Sequence, residues 1–486
     1  MIRTPLPRST PEAEGISSEN VEAFVASMED AAKRGVQIHE FVLMRHGKVI
    51  SEGAFAPYPK HAAHELFSLS KSFVSLAAGI AQGEGLLSID DPLVKFFPEY
   101  DSPKISGRMR RVTLRNLLTM ASGHDACAIG RYRHDADGSD WVRNFLEDEL
   151  PLEPGSKFVY NSGATFMLSA TIQKVTGLRV SEYLRPRLFD PLGFGEVRWD
   201  RNPDGIDLGG WGMLVSAEEI AAFAQMMLQG GVWNGKRIVP RDYYEAAISK
   251  QIPNNQNQPD SQPDWKQGYG FQFWRCRRNC YRGDGYAGQI ALMMPECGIA
   301  LAITAGSTDI QAELDLVFSQ IAPHLSDTAL PEDAAALESL RKRESGLLIP
   351  AFANAAAAAF APDPQSPVFG SHELAPNVAS IAHAAVSRLA DGVRIEWTRQ
   401  GKTAVFTAPY EGVAVTRTDF IRDDTDVAAS ARWLSADELE VVAFPIGTPS
   451  LCVMRFKNTP AGIAYSHRTP IWFRQENALE INAATK

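Results

Sequence analysis

A serine and a lysine stand three residues apart in the stretch 65–74, at the start of a largely apolar helix that the pattern extends to Ile80. Residues at this spacing share one face of a helix, so the Lys71 amine lies over the Ser68 hydroxyl. A serine hydroxyl becomes a good nucleophile only beside a base. The amino end of the helix also favours a developing oxyanion. Ser68 and Lys71 are therefore a candidate nucleophile and base for acyl transfer.

The same two residues also have a purely structural interpretation. Ser68 can cap the helix, and Lys71 can lie along an apolar surface with its amine in water. A serine followed by a lysine at this spacing also recurs by chance in a chain of 486 residues. The choice between the two interpretations depends on the other motifs.

Two further stretches have the order and spacing of a hydrolase site. Residues 154–163 read PGSKFVYNSG and place Tyr160 shortly after a Pro-Gly pair. Residues 283–289 read GDGYAGQ and open an apolar strand. Together with Ser68 and Lys71, these stretches resemble the serine β-lactamase and penicillin-binding-protein superfamily.

The resemblance is closest to the class C branch, which includes class C β-lactamases, family VIII carboxylesterases, D-aminopeptidases and 6-aminohexanoate-dimer hydrolase. Non-catalytic stretches resemble the same branch, at residues 85–92, 97–99 and 112–123. The resemblance covers roughly residues 10 to 325. It implies an α+β fold, in which an antiparallel sheet is flanked by helices and a helical lobe is inserted between its strands.

The resemblance also implies a mechanism. Ser68 attacks a carbonyl to form an acyl-enzyme, which water then hydrolyses, and the backbone N–H groups of Ser68 and Gln289 form the oxyanion hole. Lys71 and Tyr160 share the proton transfers. A phenol, whose ordinary pKa is near 10, acts as a base only if a neighbouring cation lowers that pKa, and Lys71 is the obvious cation. Which of the two takes the Ser68 proton stays open. This chemistry requires no cofactor and no metal.

The chain departs from the class C pattern at two motifs. The usual second motif is Tyr-x-Asn, whereas here Ser162 holds the position of the substrate-binding amide. The third motif is Tyr286-Ala287-Gly288 where β-lactamases carry Lys-Thr-Gly, so small residues remain but the ammonium is absent. The resemblance assigns substrate contacts to five residues: Asn161, Ser162, Tyr286, Gly288 and Gln289.

Hydrophobic periodicity predicts the elements that position these residues. Five strands of the sheet are predicted, at 41–45, 48–53, 269–275, 288–294 and 298–304. Three amphipathic helices are predicted, at 17–34, 164–175 and 216–228. The strand that carries residues 286–288 should border the active site.

The composition changes after residue 325 and indicates a second domain. Residues 1–326 are predicted to form the hydrolase domain, and residues 327–368 a charged helical segment followed by an Ala- and Pro-rich linker. Residues 369–486 contain short alternating apolar runs, which predict an antiparallel β domain, either a barrel or a sandwich. This domain resembles the lipocalin-like appendage of some relatives.

Composition argues against several kinds of function. The chain has 45% hydrophobic and 22% charged residues and a net charge of −10, without a long basic block. Nucleic-acid binding is therefore not expected, because it needs clustered Lys and Arg. No apolar run is long enough to span a membrane, and no signal peptide is recognisable. We therefore expect no membrane association and a cytoplasmic location, while the oligomeric state, including a homodimer, stays open.

Cysteine and histidine usage predicts neither a disulfide framework nor a metal site. Five cysteines fit a reducing compartment, and Cys276 and Cys280 are expected as two reduced thiols. Polar residues of a loop over the cleft lack ligand spacing on any regular element; they are His124, Asp125, His134 and Asp137.

The expected function is a serine hydrolase of small linear esters or amides, with only residual β-lactamase activity. A cation in a partly desolvated cleft would bind the carboxylate of a β-lactam, and Tyr286 carries no charge. Four arginines just upstream are expected on a solvated hairpin: Arg275, Arg277, Arg278 and Arg282. The alternatives are a β-lactamase or D-amino-acid peptidase, an acyltransferase, and a catalytically idle ligand-binding homologue.

Overall fold

The computed structural model describes residues 2–132, 140–254, 259–353, 360, 363–374, 376–377, 380–460, 462–469 and 479–484. The helices are α1 Ser18–Ala32, α2 Ser70–Gly83, α3 Leu114–Leu118, α4 Ile129–Tyr132, α5 Trp141–Leu146, α6 Ser162–Thr176, α7 Val180–Leu184, α8 Ala217–Leu228, α9 Arg241–Ile248, α10 Ile310–Gln320, α11 Ala334–Ser345 and α12 Pro350–Ala353. Within the described parts of the chain, no helix combines the length and the apolar character that a membrane span needs.

The strands fall into a first group before residue 310 and a second group after residue 369. The first group is β1 Val36–Arg45, β2 Lys48–Ala54, β3 His64–Glu65, β4 Arg198–Trp199, β5 Met213–Val215, β6 Val232–Trp233, β7 Lys236–Arg237, β8 Trp274–Arg275, β9 Tyr281–Gly285, β10 Gln289–Met294 and β11 Ile299–Ser307. The second group is β12 Gly370–Glu373, β13 Ile381–Arg388, β14 Gly392–Arg399, β15 Lys402–Pro409, β16 Ala414–Thr418, β17 Thr425–Ser435, β18 Glu438–Pro445, β19 Cys452–Thr459, β20 Gly462–Thr469 and β21 Leu479–Ala484.

A six-stranded antiparallel sheet of order β2-β1-β11-β10-β9-β8 forms the frame of the first part. Successive side chains of a strand point to opposite faces. On β1, Val42 and Met44 pack with α2 and α8, whereas Phe41 and Leu43 pack with α1 and α10. The helical segments that follow β2 and precede β8 in the chain form an insertion, because both strands belong to this one sheet and lie at its opposite edges. This α+β fold confirms the prediction.

Two predicted strand segments are wrong in detail. Of the segment 269–275, only the last two residues form a strand, because Gln272 has a left-handed backbone with φ of 63°. Its side-chain amide donates to the Leu117 and Leu118 carbonyl oxygens at 3.0 Å each. Residues 286–288 form the turn between β9 and β10 instead of a strand, with φ of 63° at Ala287.

The second group of strands forms two antiparallel sheets around a separate apolar core. Their orders are β12-β13-β14-β15 and β16-β17-β18-β19-β20-β21. Among the described residues the strands do not close into a barrel, so the arrangement agrees with the sandwich rather than the barrel. Trp397, Phe406 and Trp433 are buried in this core.

The second part also shares a buried surface with the first sheet. Phe444 and Leu451 belong to the same apolar cluster as Phe41 on β1. Helix α11 packs on α1 and β2, and Phe352 is buried in the same cluster. The predicted domain division at residue 326 stays a prediction, but α11 contributes to the core of the first part.

Two buried histidines lie where the two parts meet. His39 Nδ1 is 3.2 Å from His64 Nε2, and the His64 Nδ1–H donates to the Glu65 carbonyl oxygen at 2.9 Å. The Phe444 ring lies against His39 with 4.8 Å between ring centroids. Burial lowers the pKa of His64 to about 4 and lowers that of His39 well below its ordinary value. Both rings are therefore neutral at pH 7.

We expect thermal stability to fall as the pH decreases from about 6.5 to about 4. The unfolded chain protonates His64 near its ordinary pKa, whereas the folded protein does so only near 4, so protons favour unfolding in this window. One such group costs up to about 1.4 kcal/mol per pH unit. Unfolding temperatures across the window should fall less for His64→Gln than for the unaltered protein. His324→Gln, at an exposed position, is the control, and an equal fall in all three proteins would contradict the prediction.

Candidate active site

Ser68 lies in a single helical turn, Phe67–Leu69, that leads directly into α2. The chain enters this turn from β3, which pairs with β5, and the Leu66 N–H donates to the Met213 carbonyl oxygen at 2.8 Å. The Ser68 side chain is half-buried at the amino end of a helix whose other faces are covered. The structure thus places the predicted nucleophile at the edge of a buried helix.

The Lys71 side chain is only 1% exposed. Its Nζ atom donates to Ser68 Oγ at 2.8 Å and to the Gly210 carbonyl oxygen at 2.6 Å. Burial lowers the pKa of Lys71 from its ordinary value near 10.5 to about 7. A large part of the Lys71 population is therefore an unprotonated amine at neutral pH, in hydrogen-bond contact with the serine.

Tyr160 completes the group that the sequence predicted. The Lys71 Nζ atom lies 4.8 Å from the centroid of its ring. The ring stacks on Trp274 at 5.7 Å with 17° between the ring planes. Burial raises the pKa of Tyr160, and the nearby Ser68 side chain only partly opposes this rise. The phenol therefore stays protonated at neutral pH.

Asn161 and Ser162, at the start of α6, take different positions. Asn161 is fully buried, and its side-chain oxygen caps α6 by accepting from the Gly163 N–H at 2.9 Å and from the Ala128 N–H at 3.1 Å. The sequence predicted that Asn161 contacts the substrate. A fully buried side chain that caps a helix does not agree with this prediction. Ser162 is half-buried and packs against Gly210, the residue whose carbonyl accepts from the lysine.

The third stretch approaches the serine through its glycines and its turn. Gly285 packs against the backbone of Leu66 and Leu69, on both sides of Ser68. The next residue, Tyr286, is 41% exposed and its ring lies 5.6 Å from that of Phe67. The end of β9 and the following turn therefore border the nucleophile.

Gly288 and Gln289 shape this turn instead of facing the cleft. Gly288 has φ of 91°, and a Cβ there would meet the buried Glu313 carboxyl at 2.1 Å. The Gln289 amide is buried and donates to the Tyr286 and Ala287 carbonyl oxygens at 3.1 Å each. The Gln289 side chain accordingly holds the backbone of the turn, and the lack of a side chain at Gly288 leaves room for Glu313. Substrate contact is left to the exposed side of the turn.

Sequence reasoning missed a buried ion pair beneath the site. Arg282 Nε lies 2.8 Å from Asp284 Oδ2, and its guanidinium stacks over Trp265 at 4.5 Å. The expectation of a solvated Arg282 is wrong, because the pair and the tryptophans remove it from water. The Asp284 charge opposes the lowering of the Lys71 pKa by burial and adds to the raising of the Tyr160 pKa.

The hydrogen-bond partners of Cys276, Cys280 and His124 are residues other than Ser68. Cys276 and Cys280 are buried free thiols, and burial raises the pKa of Cys276 to about 11. The His124 ring contacts Ser122 Oγ at 2.9 Å, while His134 and Asp137 lie outside the described residues. Among the residues described, no group of three or more His, Cys, Asp or Glu is arranged to hold a metal ion.

Comparison with known proteins identifies the family. Residues 21–315, well over half of the chain, match the Beta-lactamase family profile. This chain belongs to the Beta-lactamase family. It is 27% identical over 222 residues to 6-aminohexanoate-dimer hydrolase from Paenarthrobacter ureafaciens, over 43% of this chain and 56% of that protein. It is 26% identical over 174 residues to esterase EstB from Burkholderia gladioli, over 31% of this chain and 44% of that protein.

These matches span little more than half of the relatives' own length at most. The solved structure of SurE with D-Leu is similar over a longer stretch. It covers 92% of this chain and 97% of that chain, with a TM-score of 0.50 and 17% identity. At this identity the likeness concerns the fold alone, and it includes the second group of strands.

In this member of the Beta-lactamase family, two alternate glycines on β9 set the distance between sheet and nucleophile. A Cβ on Gly283 would lie 2.5 Å from Ser72 Oγ, and one on Gly285 would lie 2.0 Å from the Leu66 carbonyl oxygen. Both glycines point to one face of the strand. A glycine at every second position of a strand marks a close backbone approach, and this signal was available in the sequence.

We expect Gly285→Ala to lower any hydrolysis of nitrophenyl esters that depends on Ser68 by about 10²-fold or more, because the new methyl group must push the Ser68 segment out of position. Since the contact is with backbone atoms, the neighbours have no side chain to rotate away. Gly107→Ala, at an exposed glycine whose nearest neighbour is a flexible arginine tip at 3.9 Å, is the matched control. Full activity in Gly285→Ala would show that this contact does not position the serine.

Proposed function

We propose that this protein is a serine hydrolase that cleaves small esters or amides through an acyl-enzyme on Ser68. The observation that carries the proposal is the buried Lys71 amine at 2.8 Å from Ser68 Oγ. A serine needs an adjacent base, and burial supplies one by lowering the lysine pKa. The family membership and the esterase and hydrolase names of the relatives support the same class of reaction.

The opposite directions of the Lys71 and Tyr160 pKa shifts support one assignment of the proton transfers. Lys71, with a pKa of about 7, takes the Ser68 proton as Oγ attacks the substrate carbonyl. Tyr160, still protonated, donates its proton to the leaving alcohol or amine, and the Lys71 ammonium then passes the proton that it took from serine to the Tyr160 phenolate. Water attacks the acyl-enzyme by the reverse route, which releases the acid and restores the Ser68 hydroxyl.

The oxyanion hole is formed by the backbone N–H groups of Ser68 and Tyr286. Gly285 lies in close contact with the backbone of Leu66 and Leu69, on both sides of Ser68, and this contact supports the N–H of the next residue, Tyr286, as the second donor. The Gln289 N–H, expected from the sequence, belongs to β10, one strand further from this segment. Two backbone donors fixed in a desolvated cleft stabilise the charge that develops on the carbonyl oxygen.

Replacing Ser68 by Ala should abolish turnover of short-chain nitrophenyl esters, by at least about 10³-fold, and abolish labelling by a fluorophosphonate probe. The side chain is small and half-buried, so the variant should stay folded. Lys71→Ala and Tyr160→Phe should also lose activity, and the combined losses should be far from additive because the three side chains act as one unit. Ser319→Ala, at an exposed helix position, is the control. Labelling of Ser68→Ala at another residue in the cleft would remove Ser68 from the mechanism.

The pH dependence of ester hydrolysis should follow the lysine. Since the neutral amine is the base, kcat/KM should rise with pH and level off above about 7. Tyr160, whose pKa is raised, should cause no loss in the alkaline range. Initial rates at low substrate concentration, corrected for spontaneous hydrolysis, measure this profile. An inflection near the ordinary lysine value of about 10.4 would contradict the assignment of Lys71 as the base.

A further inference from the structure

A cavity of about 220 Å³ is lined by residues that are adjacent in sequence to the proposed site. Three aromatic residues line it, and each is next in sequence to a backbone group of the site. Phe67 precedes the serine, Trp211 follows the carbonyl that binds the lysine amine, and Tyr286 follows the glycine that packs on the serine segment. A substituent of the substrate that occupied this cavity would therefore be joined to the substrate close to its scissile carbonyl.

The opposite wall of the cavity comes from the second part of the chain. Ile421 and Arg422 lie in the connection between β16 and β17, and residues 448–450 lie in the connection between β18 and β19. We name this cavity the junction pocket, because both parts of the chain line it. The pocket is incomplete without the C-terminal sheets, although every proposed catalytic residue precedes residue 290.

Three charged residues line the junction pocket. Arg422 lies 2.7 Å from Asp200 Oδ1 and 3.4 Å from Glu65 Oε2. The lining therefore carries two carboxylates and one guanidinium, a net charge of −1. A substrate carboxylate would have to displace one of these carboxylates from Arg422 and would be repelled by the other. A cation gains from both carboxylates and from the faces of the aromatic walls.

The size of the pocket limits what it can hold. Sites that enclose whole drug-sized ligands are about 300–1,000 Å³, and the junction pocket is smaller than this range. It therefore accepts one end of a substrate, either the acyl chain or the leaving group, while the scissile carbonyl lies at Ser68.

We propose that the junction pocket binds an alkylammonium group carried by the ester or amide substrate. Asp200 and Glu65 attract the cation, the aromatic walls contact its methyl or methylene groups, and Arg422 limits the strength of this attraction. The C-terminal sheets thus take part in substrate selection. This inference rests on the proposed function, since it names the substrate class of the same site.

Two pairs of matched esters test the inference. Acetylcholine and 3,3-dimethylbutyl acetate differ only in the charge of the leaving group, and the nitrophenyl esters of 4-(trimethylammonio)butanoate and 5,5-dimethylhexanoate differ only in the charge of the acyl chain. For each ester, kcat/KM is divided by the rate constant for hydrolysis of the same ester by hydroxide, which removes differences in intrinsic reactivity. We expect this ratio to be higher for the cationic member of at least one pair, by about threefold or more. This preference should decrease as salt is added, because partly exposed charges are screened.

Two variants should change the preference in opposite directions. Asp200→Asn removes a negative charge and should lower it, whereas Arg422→Met removes the positive charge and should raise it. Asp424→Asn, at a neighbouring carboxylate that binds Arg417 and does not line the pocket, should leave it unchanged. General damage to the fold would change both pocket variants in the same direction.

Each result decides between the two proposals. If Ser68 is labelled and nitrophenyl acetate is hydrolysed but neither cationic ester is preferred, the inference is wrong and the proposed function stands. A change in the same direction in Asp200→Asn and Arg422→Met would also overturn the inference. If Ser68 is not labelled and no ester is hydrolysed, the proposed function fails and the inference fails with it.

Discussion

The removal of the Lys71 amine from water is the interaction on which the site depends. Its partners, the Ser68 hydroxyl and the Gly210 carbonyl, are uncharged, so they satisfy its hydrogen-bonding capacity without compensating for the lost hydration of an ammonium. Helix α2 can bury this side chain because its remaining faces are apolar and are covered by the sheet and by α6. The fold itself thus lowers the pKa of the proposed base, without any contribution from a substrate.

Close approach of the sheet to the serine segment is the second constraint. The alternation of Gly283 and Gly285 lets β9 lie in backbone contact with the turn that precedes α2. The hairpin turn that follows is held from behind by the Gln289 amide. Side chains that lie outside the cleft therefore fix the backbone groups that lie inside it, and this explains why residues of the third motif can differ from those of β-lactamases while the turn persists.

Local patterns made much of the fold and the contact between Ser68 and Lys71 predictable, and long-range contacts explain the rest. Helix α6 and strand β11 follow continuous apolar patterns, and the serine–lysine pair depends only on helical spacing. The break at Gln272 depends on carbonyl groups some 150 residues earlier in the chain, which no local pattern shows. Arg282 resembles a solvated residue in sequence, because its tryptophan partner Trp265 comes from another segment. Strand β13 has three alanines and only two large apolar residues, Ile381 and Val386, so its apolar pattern is weak.

The packing of Phe444 on His39 and Tyr58 has a consequence for how such two-part chains diverge. Recombination that exchanged only the second group of strands between relatives would replace Phe444 while leaving its histidine partner behind. It would also separate Arg422 from Asp200. Exchanges that survive must therefore carry compensating changes in the first part, so the two parts of the chain are expected to have evolved together as one inherited unit.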